Sequence, residues 1–223
     1  MTAPASFRIQ GCFPRCTALF NLEHSKVAYR LDLALFGGAS VGLGALLVLM
    51  GPRARLVQSI GCAGLGLASW TFIEYGLHRF LLHGVKPFST WHAAHHRRPA
   101  ARIYSPTLSG VILIAALIYL PAWIIGGPWA ACALTFGVVT GDFGYAITHH
   151  AVHHWDADGG WLWRRRRWHG LHHAWSPAGV GRPGYYGVTS PFWDHVFRTA
   201  GGQWTSCRPA GRATNRSVGA TDA

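Results

Sequence analysis

HRFLLHGVKPFSTWHAAHH, residues 78–96, sets five histidines within nineteen positions at the end of a long apolar run. A second dense stretch, His149 to His173, answers it after two further apolar runs. Four clusters result: His78-x4-His83, His92-x2-His95-His96, His149-x3-His153 and His169-x2-His172-His173. In three of them the spacing of three or four sets imidazoles on one helical face, about one turn apart. His78 and His83 stand five apart, about 140° around an α-helix. They are expected on different sides of a site, or on a helix that ends between them near Gly84.

Half of the 223 residues are hydrophobic and only 13% are charged. Soluble domains carry charge on about a quarter of their residues, so the balance indicates a membrane protein. The net charge of +12 then reads as a face pressed on anionic lipid head groups. Nucleic acid is excluded as a partner, since the chain contains no RNA- or DNA-binding motif.

Four apolar spans are predicted, at Leu31–Met50, Leu56–Ile73, Leu108–Ile125 and Trp129–Thr148. Twenty residues at a 1.5 Å rise cover about 30 Å, the thickness of the hydrocarbon core. The first span contains GGASVGLGALL, small residues suited to close helix packing. Gly51-Pro52 ends it, and Gly126-Gly127-Pro128 makes a tight turn between the third and fourth spans. Four spans return both termini, and both histidine stretches, to one side. Arg97, Arg98, Arg102 and Arg164–Arg167 fall on that side, against Arg53 and Arg55 opposite, which makes it the cytoplasmic face. The expected fold is therefore all-α and membrane-embedded, with about four transmembrane helices and a cytosolic helical cap carrying a dimetal site. Residues 1–30 read as a cytosolic segment without the apolar core of a signal peptide, residues 31–200 as the membrane domain, and residues 201–223 as a disordered tail.

The five cysteines form no disulfide framework: Cys62 and Cys132 sit in apolar runs as packing residues, and Cys12 and Cys16 have no second pair nearby to complete a zinc site. Cys207 lies in the tail. Metal binding falls to the histidines instead. Ten imidazoles are too many for one metal and suit two, but imidazole accepts iron, copper, nickel and zinc alike. His24, His150, His154 and His195 lie outside the pattern, His150 and His154 being rotated about 100° from His149 and His153.

This pattern resembles the fatty acid hydroxylase superfamily of integral-membrane di-iron enzymes, which includes fatty acyl 2-hydroxylases, sterol desaturases and carotenoid hydroxylases. The resemblance runs from about Glu74 to Thr199. It is strongest to the acyl 2-hydroxylase branch, through LHRFLLH at 77–83, THHAVHH at 148–154, HGLHH at 169–173 and GVTSPFWDHVF at 187–197. It implies that His78, His83, His92, His95, His96, His149, His153, His169, His172 and His173 hold two iron ions, with zinc able to fill the same donor set in purified material. It further implies oxidation of a lipid, at C2 of an acyl chain as the first expectation, using O2 and two electrons. Two positions depart from the pattern. Ala146 stands where eukaryotic acyl hydroxylases often carry an acid, and the chain has no room for their fused cytochrome b5 domain. Electrons are therefore expected from an external donor.

With eight acidic residues in all, a carboxylate-bridged bundle is excluded. Glu74, one turn before His78, and Asp142, two turns before His149 with Tyr145 between, are candidates to accept the second N–H of a ligating imidazole. Asp194 is expected to cap a helix or pair with an arginine. Arg164–Arg167 with Trp161, Trp163 and Trp168 read as an interfacial helix with guanidinium groups on lipid phosphates. Rival functions are the same chemistry on a sterol, carotenoid or head group, and a metal-handling membrane protein without catalysis. A transporter would carry ionisable residues along its spans; here only Asp142 sits clearly inside one.

Overall fold

The computed structural model describes residues 25–102, 107–175 and 184–201, whose regular structure is all helix, with no strand among the described residues. Most of the N-terminal segment, Cys12, Cys16, His24, Cys207 and the tail beyond residue 201 lie outside the described residues. The first helix, α1, spans Lys26–Met50 and so begins five residues before the expected Leu31. Ser25 caps it, its Oγ accepting from the Ala28 N–H at 3.1 Å. Helix α2 spans Leu56–Gly76 and continues as a π-helical turn over Leu77–Leu82. Helix α3 spans Phe88–Arg97. Helix α4 covers Thr107–Ile114, passes through a second π-turn at Ala115–Tyr119, and runs into α5, Leu120–His154. Helices α6 (Gly160–Trp175) and α7 (Phe192–Val196) follow.

Three helical segments, Lys26–Met50, Arg53–Leu82 and Thr107–His154, are long and apolar enough to cross a membrane. The chain is an integral membrane protein, and Val41, Val48, Val57, Ile124 and Ile125 turn outward as lipid-facing residues do. The third segment, 48 residues long, is not straight. Gly127 takes φ 78° and ψ 178° just before Pro128. Proline lacks the N–H that the ladder needs, and only glycine enters that φ without a steric cost. The two arms on either side of Gly127 both meet the same stretch of α1. The Thr107 hydroxyl donates to Asp32, and a Cβ on Gly110 would lie 3.6 Å from the Phe36 ring. Farther along, Asp142 feels the charge of Asp32, and a Cβ on Gly37 would lie 2.9 Å from the Phe143 ring. Residues 33 apart on a straight helix stand about 50 Å from each other, so the chain folds back at Gly127, where the turn was expected.

Small residues bring α2 and α5 together. A Cβ on Gly137 would come within 2.1 Å of the Ala63 carbonyl oxygen, and one on Gly66 within 2.2 Å of the Leu134 carbonyl oxygen. Backbone cannot yield at that distance, so glycine is required for the two helices to pack. The glycines of α1 do less: Gly37 and Gly44 admit the rings of Phe143 and Phe136, while Gly38 and Gly42 meet nothing. The tight interface is thus one helix further along the chain than the small-residue run suggests.

Candidate metal centre

The π-turn decides where His78 and His83 point. An i→i+5 ladder widens each turn, so residues five apart come round to the same side. Their ring centroids are 5.4 Å apart at 33°. Of the two expected arrangements the structure takes the second, the helix ending at Leu82 with His83 at its C-terminal cap, and the wider winding brings both rings to one group.

Nine of the ten candidate histidines fall into two groups whose ring nitrogens could each hold a metal ion. One group is His78, His83, His92, His96 and His172; the other is His95, His149, His153 and His169. Helices α3 and α6 contribute to both. On α3, His92 and His96 are four apart and face the first group, while His95 is turned toward the second. On α6, His172 and His169 divide in the same way. The π-turn supplies only the first group and the end of α5 only the second. His173, the tenth candidate, lies beside both: its Nε2 is 3.1 Å from that of His169, and its ring stacks on His96 at 4.2 Å and 21°. His150 and His195 belong to neither group. The Tyr29 hydroxyl lies 2.8 Å from His150 Nδ1, and His195 packs near Trp168.

Within the first group, Nε2 atoms approach one another at 3.0 Å for His78–His92, His92–His96 and His96–His172, and 3.2 Å for His83–His172. In the second, His153 and His169 Nε2 are 2.9 Å apart. Nitrogens bound at right angles around one cation, at about 2.0–2.1 Å, stand about 3 Å from each other. His78 Nδ1 lies 2.6 Å from the Tyr186 carbonyl oxygen and His172 Nδ1 2.7 Å from that of Gly184. A carbonyl only accepts, so Nδ1 carries the proton in each ring and Nε2 presents a bare lone pair inward. Burial pushes His92, His95, His169 and His172 well below the ordinary imidazole range and His173 down to about 3, and neighbouring imidazoles act the same way. Neutral, converging and buried, these rings fit a divalent transition metal in each group, without selecting which.

The two acids nearest in sequence lie in different surroundings. Glu74 accepts from backbone and hydroxyl donors of the 188–189 segment. Its Oε1 accepts from the Val188 N–H at 2.5 Å and the Thr189 N–H at 2.9 Å, and its Oε2 from the Thr189 hydroxyl. Asp142 is within electrostatic reach of Asp32 on α1. Tyr145 stacks on His149, centroids 5.7 Å apart at 12°, and so braces a candidate ligand by ring contact.

Among the described residues Asp194 forms no ion pair with an arginine. Fully buried, it accepts from the backbone N–H groups of Tyr186 at 2.8 Å and Gly187 at 2.7 Å, the Thr199 hydroxyl at 2.7 Å and the Trp168 indole at 3.3 Å. A hydrogen bond made within the fold contributes about 0.5–1.5 kcal/mol net. Residues 186–189 thus send four consecutive N–H groups to two buried carboxylates. The Tyr186 and Gly184 carbonyls on the same segment orient His78 and His172. Sequence reasoning missed these backbone partners; the signal was GVTSPFWDHVF, where a rare acid stands among aromatics. The basic run is also divided. Arg166 pairs with Asp156 at 3.0 Å on the surface, but Arg165 is only 7% exposed and lies over the Trp168 ring. Trp168 itself is buried against Tyr185 instead of standing at head-group level.

The model of the fatty acid hydroxylase family matches residues 63–199. The chain belongs to the fatty acid hydroxylase family. It is 31% identical over 152 residues to a dihydroceramide fatty acyl 2-hydroxylase of Arabidopsis thaliana, covering 61% of this chain and 59% of that protein. A ceramide very long chain fatty acid hydroxylase of Schizosaccharomyces pombe is 29% identical, over 61% of this chain and 41% of its own length. The fatty acid 2-hydroxylase of Rattus norvegicus is 27% identical, over 63% and 39%. A solved structure of full-length scs7p, with only the hydroxylase domain visible, superposes with a TM-score of 0.64 at 25% identity, covering 80% of this chain and 67% of that one. The chain therefore spans about two-fifths to three-fifths of the length of these curated relatives. All three are hydroxylases of acyl lipids by name, and the match takes in every histidine of the two groups.

Proposed function

We propose that this protein is a membrane-bound di-iron oxygenase that hydroxylates a lipid acyl chain, at C2 as in the 2-hydroxylases it resembles. The observation that carries the reading is the pair of imidazole groups fed jointly by α3 and α6, in a chain of this family. In this reading His78, His83, His92, His96 and His172 hold one iron and His95, His149, His153 and His169 the other, with His173 between them. When bound, two irons supply the reduction of O2 and the oxidation of an unactivated C–H bond. The overall reaction takes RH, O2, two electrons and two protons to ROH and water, the electrons coming from an external donor.

The chain's own contribution is placement. Burial keeps the imidazoles neutral, so their lone pairs are available without losing a proton first. The Tyr186 and Gly184 carbonyls hold two rings in the tautomer that turns Nε2 inward. Helices α2 and α5 carry the groups at their ends, so that an acyl chain lying in the bilayer meets the site from the apolar side while its polar end stays at the interface. The fold-back at Gly127 supports four membrane crossings. The arginine bias, with Arg97, Arg98, Arg102 and Arg164–Arg167 against Arg53 and Arg55, supports a cytoplasmic site.

The test is mass spectrometry of lipids from cells expressing the intact protein beside a His95→Ala, His172→Ala double variant, which removes one imidazole from each group. An acyl species heavier by one oxygen with the intact protein only, and fragments placing the hydroxyl at C2, is the expected result. Oxygen on a sterol, carotenoid or head group overturns the substrate. No change in any lipid with a donor supplied favours metal handling without catalysis.

A further inference from the structure

The two metal positions are not supported alike. Tyr186 and Gly187 give their backbone N–H groups to Asp194, and Val188 and Thr189 give theirs to Glu74. Four consecutive amides pinned in this way leave the strap over residues 184–189 little freedom. Gly187 closes it, since a Cβ there would lie 1.9 Å from the Ser190 carbonyl oxygen. At its start Gly184 and Tyr185 take φ 79° and 56°, and the Tyr185 N–H reaches the Thr199 carbonyl at 3.2 Å. Both carbonyls that reach an imidazole from this strap reach the same group, at His78 and His172. In the other group, Nδ1 of His95 and of His169 is buried with no hydrogen-bond partner among the described residues. Arg165, buried on α6, lies over the ring of Trp168, whose indole N–H donates to Asp194.

We propose that Asp194 and Glu74 are positioning residues for one metal only: through the strap they set the five-histidine position, and the four-histidine position stands without them. The proposal rests on the metal reading above. A general structural role would weaken both positions together; an action through His78 and His172 weakens one.

The experiment measures metal bound per chain on the full-length protein in detergent, loaded with Zn(II) and dialysed, and repeats the titration against a competing chelator. Asp194→Asn keeps the volume of the side chain but sets an amide NH2 against backbone N–H groups. Thr189→Val is the gentler variant, removing one hydroxyl from Glu74 and leaving every contact of Asp194 in place. The expected result is two metals for the unaltered chain, and for each variant an affinity about 10–100-fold weaker at one position and unchanged at the other, the range typical for loss of a ligand's outer hydrogen bond. Combining Asp194→Asn with His149→Ala, which strikes the four-histidine group, should weaken both. Should Asp194→Asn fail to fold, Thr189→Val alone decides. Two metals at unchanged affinity, or a parallel loss at both positions, overturns the proposal. An unaltered chain that takes up no metal overturns the metal reading and the proposal with it.

Discussion

His78 and His83 are five residues apart and yet turn their rings to one side, 5.4 Å between centroids, because the backbone between them winds as a π-helix. An ordinary α-turn would bring residues four apart to that position. Deleting Leu81 should therefore restore the pairing by an α-turn, whereas inserting an alanine between Phe80 and Leu81 should swing His83 away. Metal content of the two purified variants checks this: the deletion is expected to retain more metal than the insertion, and the reverse order would refute the role of the π-turn.

Burial of neutral imidazoles ties stability to pH with a definite sign. His173 has a folded value of about 3, and His92, His95, His169 and His172 are lowered in the same direction. The unfolded chain, with imidazoles near 6.5, then binds more protons than the folded one between the two values, so stability is present above about 6.5 and lost as pH falls toward 3. The Tm of the metal-free protein in detergent should be level above neutrality and fall steadily below it. A Tm that holds steady from pH 7 down to 4 would show these rings already charged in the fold.

The crossing of α2 and α5 depends on glycines facing backbone. Gly137→Ala would drive a methyl to 2.1 Å from the Ala63 carbonyl oxygen, so the helices must separate. A loss of about 1–3 kcal/mol, the cost of overpacking, is expected. Gly144→Ala, which meets nothing within 4 Å, is the control and should be neutral or better. Thermal unfolding of the two variants separates them.

Asp142 was a candidate to support a ligand, yet its charged neighbour is Asp32 on another helix. A carboxyl group at membrane depth is costly to bury, and an amide of the same shape is less so. Asp142→Asn should leave metal content unchanged and raise the Tm. A fall in metal content instead would return Asp142 to the ligand's outer shell.

The residues that define this protein were legible along the chain because hydropathy and local spacing are properties of neighbours. Apolar runs of about twenty residues demand helices in a bilayer, where no other backbone satisfies its own hydrogen bonds. Histidines three or four apart share a helical face whatever surrounds them, and Gly127-Pro128 breaks a helix wherever it stands. Family membership followed from the same local patterns. Tertiary structure decided what depends on partners distant in sequence. Which imidazoles join which group depends on how α3 and α6 lie between the π-turn and the end of α5. The tasks of Glu74 and Asp194 were hidden because their partners are backbone amides, which every residue carries and no spacing marks. Arg165 turned inward for a like reason: four consecutive arginines wind all the way round a helix, so one faced the interior, and only the packed fold shows which.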